Sequence, residues 1–338
     1  MEKGKKSSVW VILTILFFLV PAVASSQTSA QPKYLIRAGY TNPVAHPVTE
    51  TGYLFQELVH GRSKGQIKVE VYPSAQLGSN KELAESVRAG TIQMTALAPD
   101  YMTSLVPWFD VLSLPFLWES YAAEWAAFNG WLGKKMNAAL EEKGITTIAI
   151  NEGGFAHIGN RVRSIEKAED LKGLKIRVLP SPILLAAMQG LEAKPIAMDY
   201  KEVYTSLESG AIGGIILPAT YIWNSKFYEV ISYYSVCGFF HFPMVTYMNK
   251  KFLDSLPPEL KTIVLDSARI ARDRQRAKVA GEDAEILEML GTKTKLKINT
   301  ISADQLKRLR TAVKPAYDLA KKKFGKDFVE KLEEASTR

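Results

Sequence analysis

The chain has one cysteine, four histidines and no apolar run long enough to cross a membrane comfortably, even Val9–Val20 being short for a span. The lone Cys237 excludes an internal disulfide framework, and its apolar, aromatic surroundings read as the site of a small buried hydrophobe. His46, His60, His157 and His241 are dispersed, with no pair at helical metal-ligand spacing. There is no H-E-x-x-H, no paired-cysteine cluster, no Walker loop, no G-x-S-x-G and no dinucleotide glycine fingerprint. These absences remove the familiar metallo-, nucleotide-dependent and serine-hydrolase signatures. A hydrolase built on two carboxylates leaves no such mark. Asp199 and Glu202 are the nearest pair, and at a helix start they favour the macrodipole. Lys and Arg number 43 against 35 Asp and Glu, but the basic residues are scattered rather than striped, which argues against nucleic-acid binding.

What is present begins with a leader. Lys3, Lys5 and Lys6 precede the apolar run, and Ala22-Val23-Ala24 supplies a small-residue cleavage pattern before the polar stretch Ser25–Gln31. The expectation is a signal peptide over 1–24, cleavage near Ala24, and an exported protein. Losing the leader removes three lysines and Glu2 from a formal charge of +8. No cysteine follows the run, so a lipid-anchored start is not supported.

At 338 residues two domains are the natural prior. Tyr34–Gly39 and Ile67–Tyr72 alternate as strands around a helical stretch, Thr49–Arg62, which opens a mostly parallel sheet. Thr91–Leu97 and Thr146–Ile150 read as further strands, and Tyr121–Lys143 as one amphipathic helix with Trp125, Phe128, Trp131 and Leu132 inward. Gly153-Gly154 lets the chain change direction, which places a domain crossover there. Beyond it, Ala197–Ser209 reads as a helix, Gly213–Pro218 as a buried strand and Met244–Met248 as a returning strand. Pro257-Pro258 opens a helical run to about Leu290, long enough to lie across two domains.

The organising stretch is Asp170–Val178. Gly173 breaks the chain, Leu174, Ile176 and Val178 alternate toward a core, and Lys175 and Arg177 fall on the other face. Pro180 stops this strand before a helix over Pro182–Leu191. An arginine near the end of a strand sits where open α/β sheets bind ligands, and its fork of donors suits a carboxylate.

Several segments together resemble one family: the solute-binding subunits of tripartite ATP-independent periplasmic (TRAP) transporters, the DctP-like proteins. They are Ile67–Gly78 (IKVEVYPSAQLG), Leu114–Leu117 (LPFL), Glu169–Val178 (EDLKGLKIRV), Glu202–Tyr204 (EVY) and Lys226–Val230 (KFYEV), with Asn249–Lys251 and Leu256–Glu259 extending the match. The resemblance implies an α/β, two-domain periplasmic solute-binding protein with hinge strands and a long helix spanning both domains. Domain I is then expected over 33–154 plus 243–282, and domain II over 155–242 plus 283–338. It further implies capture of a small-molecule carboxylate without catalysis or cofactor, and delivery to the large and small TRAP membrane subunits. Two rival classes are a secreted enzyme on the same fold and a sensor input that hands its ligand to a receptor.

Carried over by position, Arg177 matches the family arginine that clamps the ligand carboxylate, and Tyr200 matches an aromatic packed on the ligand. Thr41 or Asn42, after the first strand, and Asn80 fall where polar contacts are usual, and Ala98 where some sialic-acid-binding members have a glutamate. Leu217 replaces a frequent ligand-binding asparagine. His157 is the nearest polar substitute for an absent second arginine, and Phe155 and Trp223 are candidates for the wall. Missing polar partners disfavour a polyhydroxylated acid. The expected ligand is therefore a relatively apolar or aromatic monocarboxylate.

Overall fold

The computed structural model describes residues 32–337, with residues 1 and 4; the apolar run of the leader and its predicted cleavage site lie outside the described residues. Nine strands form one mixed sheet: β1 (Tyr34–Gly39), β2 (Ile67–Tyr72), β3 (Met94–Leu97), β4 (Ile145–Asn160), β5 (Lys175–Val178), β6 (Lys194–Ala197), β7 (Gly214–Pro218), β8 (Tyr233–Asn249) and β9 (Lys297–Thr300). The order is β2-β1-β3-β8-β4-β7-β5-β6, with β9 against β8. The predicted strand–helix–strand opening is present: β1 and β2 pair in parallel around helix α1 (Pro47–Arg62).

Two strands run far beyond their predicted lengths. The sequence points only to Thr146–Ile150 and Met244–Met248, yet β4 spans 16 residues and β8 spans 17. They are antiparallel to one another along their whole length. The end of β8 near Asn249 pairs with β3, whereas the far end of β4 pairs with β7. The β1 side and the β5 side of the sheet thus share these two strands. Gly153-Gly154 does not end β4. It marks an irregular register between Glu152 and Phe155, with Gly154 at φ +103°. A Cβ on Gly153 would lie 2.4 Å from the Phe242 carbonyl oxygen of β8. Gly153→Ala is therefore expected to cost about 1–3 kcal/mol of stability, read as a lower midpoint in thermal unfolding; an unchanged midpoint would contradict the close approach.

Two helical readings need correction. Tyr121–Lys143 is not one helix but α3 (Tyr121–Asn129) and α4 (Trp131–Glu141), with α2 (Asn80–Ala89) preceding them. Gly130 leaves the helical region at φ −102°, ψ −128°, which separates the two axes. Phe128 and Leu132 are buried, while Trp125 and Trp131 are half-buried. Ala197–Ser209 likewise does not begin as a helix. Lys194–Ala197 is drawn into the sheet as the edge strand β6, where Pro195 is tolerated. Asp199 then caps a 3₁₀ turn, Tyr200–Glu202, that leads into α6 (Val203–Glu208); α5 (Pro182–Gly190) lies upstream.

Downstream come α7 (Ala219–Asn224), α8 (Lys250–Ser255) and α9 (Pro258–Lys293). The last has 36 residues, about 54 Å at the α-helical rise. It packs against α1, β4 and α7. Buried Ser267, Ala268 and Ala271 allow close approach, and Gln275 exchanges two hydrogen bonds with the backbone of Glu152. Helices α10 (Ala303–Ala312), α11 (Lys314–Phe324) and α12 (Lys326–Ser336) complete the chain, α11 packing on α5.

Candidate functional site

The organising strand is short. Ile176 and Val178 are buried as their spacing predicts, and Lys175 is exposed. Arg177 points away from the face they occupy, yet it is only 1 % exposed. Its Nε donates to the Met198 carbonyl just beyond β6 at 3.0 Å, and its Nη2 donates to the Tyr101 hydroxyl at 3.2 Å. These two bonds fix the guanidinium plane. Arg177 makes no ion pair among the described residues, so a fully buried cation keeps donors free for an anion.

The turn after β5 is held from the other side of the sheet. Asp110 accepts from the Ser181 hydroxyl at 2.5 Å and from the Ile183 amide, so it caps α5 together with Ser181. Burial raises the Asp110 carboxyl pKa, and these hydrogen bonds oppose the rise.

Arg177 is one wall of a cavity of about 20 Å³ lined also by Thr41, Asn42, Asn80, Ala98, Tyr101, Leu179, Tyr200, Tyr221, Phe242 and Met244. That volume admits about one water, so an organic acid enters only if the walls separate. Thr41 donates to the Asn80 side chain at 2.9 Å. Tyr200 shares a 2.6 Å hydrogen bond with Ser225, and its ring meets Tyr221 and Phe227 edge-on. Burial pushes the Tyr101 hydroxyl up to about 12, with Arg177 opposing, and raises the Tyr200 and Tyr221 hydroxyls as well. All three are neutral phenols at ordinary pH. A wider cavity of about 280 Å³ shares Tyr101 as a wall and adds Lys81, Asp100, Met198 and Asp199. A groove of about 530 Å³ beside α4 and β4 is larger, but it gathers none of the Arg177 constellation.

Six sequence-predicted residues therefore meet at one cavity: Arg177, Tyr200, Thr41, Asn42, Asn80 and Ala98. The other four are elsewhere. His157 is buried against β8, where its Nδ1 accepts from the Gly238 amide at 2.9 Å; burial lowers its pKa to about 4, so it is neutral. Leu217 is fully buried in β7 and contributes its carbonyl to the Tyr234 hydroxyl. Phe155 packs on Tyr121 and His241, and Trp223 packs on Tyr228. Tyr101, Leu179 and Tyr221 were not read from the sequence. Each follows the C-terminal end of a strand by a few residues, and that position was the available signal.

A second constellation joins residues that sequence spacing scattered. His241 on β8 has Nε2 2.9 Å from Glu152 of β4, and Nδ1 against Glu124 of α3, all fully buried. Glu152 also accepts from the Trp125 indole and the Gly154 amide, each within 2.8 Å. Arg276 of α9 lies over the Trp125 ring, and Tyr121 donates to Asp283 of α9. Burial alone would lower the His241 pKa. Attraction to Glu124 and Glu152, with hydrogen bonds to both, instead raises it to about 10. The three residues could offer metal-ligand atoms within 4.8 Å of one another. Both imidazole nitrogens are already engaged by carboxyl groups, so the arrangement is that of a charged imidazole held between two buried glutamates.

Comparison with known proteins gives a consistent picture. The family model described as DctP, bacterial extracellular solute-binding protein, family 7, matches residues 38–323. The chain is 31% identical over 269 residues to the 2,3-diketo-L-gulonate-binding periplasmic protein YiaO of Escherichia coli, covering 80% of this chain and 82% of that one. It is 28% identical to the C4-dicarboxylate-binding periplasmic protein DctP of Rhodobacter capsulatus, covering 83% and 85%. Among solved structures, the sugar acid binding protein of Advenella mimigardefordensis in complex with galactonate superposes with a TM-score of 0.87 at 30% identity, over 91% of this chain and 98% of that one. A TRAP periplasmic solute binding protein of Ralstonia eutropha with bound (S)-2-acetolactate gives 0.85 at 28%, over 90% and 98%.

Proposed function

The chain belongs to the DctP family, family 7 of the bacterial extracellular solute-binding proteins, and from that premise we propose that it captures an organic acid on Arg177 and delivers it to TRAP membrane subunits. One observation carries the reading. A guanidinium that is 1 % exposed and makes no ion pair among the described residues lines a cavity with neutral and apolar walls. Burying an uncompensated charge is costly, and an anionic ligand supplies the missing partner. Binding rather than catalysis is the role, because no step beyond capture is needed.

The walls argue for the body of the ligand. Ala98, Leu179, Phe242 and Met244 are apolar, and Tyr200 presents a ring. This supports a relatively apolar or aromatic monocarboxylate, although proteins of similar fold bind acids from galactonate to 2-acetolactate. A thermal-shift screen of organic acids, with mass spectrometry of co-purified ligand, tests it. Stabilisation by branched or aromatic monocarboxylates is the expected result; a sugar acid or a dicarboxylate as preferred ligand overturns it.

Capture is a hinge motion in this reading. Domain I comprises 33–154 plus 243–282 and domain II 155–242 plus 283–338, with β4 and β8 bending where they cross and α9 lying along both. A ligand favours closure to the extent that it contacts both domains. Export follows from the leader, and a mature mass corresponding to a start at Ser25 is the expected outcome; a retained leader contradicts it.

A further inference from the structure

One carboxylate oxygen beside the Arg177 cavity has no partner. Asp199 caps the turn that follows β6, and its Oδ1 accepts from the Lys201 amide at 3.2 Å. Its Oδ2 is buried and accepts from nothing among the described residues. Buried polar atoms in native proteins are almost always paired, and a carboxylate oxygen is costly to keep from water unpaired. The atom is not loosely placed. The cap fixes the side chain, and Met198, one residue earlier, is held through its carbonyl by Arg177 Nε at 3.0 Å.

Asp199 lines the cavity of about 280 Å³, near the small end of ordinary ligand pockets. Tyr101 is the one wall that this cavity shares with the Arg177 cavity. Three stretches of chain run along both: Ala98 lines the smaller and Asp100 the larger, Leu179 the smaller and Pro180 the larger, Tyr200 the smaller and Asp199 the larger. Consecutive Cα atoms are about 3.8 Å apart, so one small molecule can occupy both. Other polar groups of the larger cavity are engaged already or exposed. Asp100 accepts from the Ser113 hydroxyl at 2.5 Å, and Thr103 Oγ1 donates to the Asp100 carbonyl. Lys81 is exposed on α2 and makes no bond to Asp199 Oδ2.

We infer that the larger cavity is the subsite for the far end of the ligand, where Asp199 accepts a hydrogen bond from a hydroxyl or ammonium group. This rests on Arg177 holding the carboxylate. The ligand is then an acid with an apolar body and a donor at the end remote from the carboxylate. An ionised carboxylate only accepts, so an ether oxygen in the same place, or a plain chain, leaves Oδ2 buried and unpaired. Sites built to hydrogen-bond a ligand group discriminate strongly against analogues that lack it. The two ends of the acid are read by neighbouring stretches of one half of the sheet, since Arg177 closes β5 and Asp199 follows β6. Tyr101, from the turn after β3, closes over both from the other half.

Calorimetry with two matched series tests the inference: phenylacetate with its 4-hydroxy and 4-methoxy derivatives, and hexanoate with its 6-hydroxy and 6-amino derivatives. In the unaltered protein a donor-bearing acid is expected to bind about tenfold or more tightly than the plain or methoxy acid of the same skeleton. Asp199→Ser keeps an oxygen to cap the turn but removes Oδ2, and should bring that preference to within about threefold, with the thermal midpoint checking the fold. A preference within twofold in the unaltered protein, or one that Asp199→Ser leaves intact, overturns the inference while leaving Arg177-dependent binding in place. A cavity that serves only as the way in gives the first of these results. If no acid of either series binds, or binding survives Arg177→Ala, the carboxylate assignment fails and the inference fails with it.

Discussion

Replacing Arg177 with alanine is expected to weaken binding of the acid that the protein takes by about 30-fold to several thousand-fold. The range corresponds to about 2–5 kcal/mol for removing one partner of a buried charge pair. The loss is large because the cavity offers the carboxylate no other cation and because the fork is already oriented. Met198 and Tyr101 hold its plane before the ligand arrives, so little ordering remains to be done on binding. Arg177→Lys separates charge from geometry. A lysine keeps the sign but presents a point charge that cannot reach Met198 and Tyr101 with the same fork, so it should recover only part of the affinity. Isothermal titration measures both, with thermal midpoints checking that each variant is folded. An Arg177→Ala protein that is folded and binds within a few-fold of the original would show that the anion is held elsewhere.

The second large effect concerns stability rather than binding. Replacing His241 with leucine should destabilise the fold by about 3–5 kcal/mol, because Glu124 and Glu152 would remain buried without their shared cation. The pH dependence has a definite sign. The imidazole pKa is raised in the folded protein from 6.5 to about 10, so folding binds a proton. The stabilisation is complete below about pH 6.5 and disappears as pH rises through about 10. The Glu124 carboxyl is also raised, to about 7, by burial against the pull of His241, and it too loses stability with rising pH, between about 4.5 and 7. Chemical unfolding of the original protein and of His241→Gln over pH 6–10.5 isolates the imidazole. The difference between them should shrink steadily above pH 7. A difference independent of pH would mean that His241 is neutral in the fold. The network ties β4 and β8 to α3, and Arg276 and Asp283 of the long helix lie against its edge.

Much of the candidate site was legible because it follows strand ends. Thr41 and Asn42 trail β1, Ala98 trails β3, and Arg177 closes β5; periodicity and punctuation locate each. The family resemblance adds Tyr200 and Asn80, which lie on a turn and a helix start that no alternation marks. Direction keeps His157 and Leu217 away from that cavity. Both lie on strands at plausible positions, but the pleat turns one toward β8 and the other into the core. The helix predicted from Ala197 failed for a related reason. Lys194–Ala197 has an unremarkable local pattern, and only the open edge of β5 recruits it into the sheet.

The sequence by itself determined the class of this protein: strand and helix order, the export leader as an expectation, the absence of catalytic signatures, and an arginine at the end of a strand. Those properties reside in local periodicity and in ordered motifs, which need no third dimension. Tertiary structure alone decided three things. It ran β4 and β8 through the point where local signals weaken, because long-range pairing sustains a strand that glycines would otherwise end. It gathered Glu124, Glu152 and His241 from three elements into one charge network, since opposite charges leave water only when packing brings them together. It also buried Arg177 in a cavity wall with no ion pair among the described residues, and the lack of a counter-charge is a property of what surrounds a side chain, which no stretch of chain records.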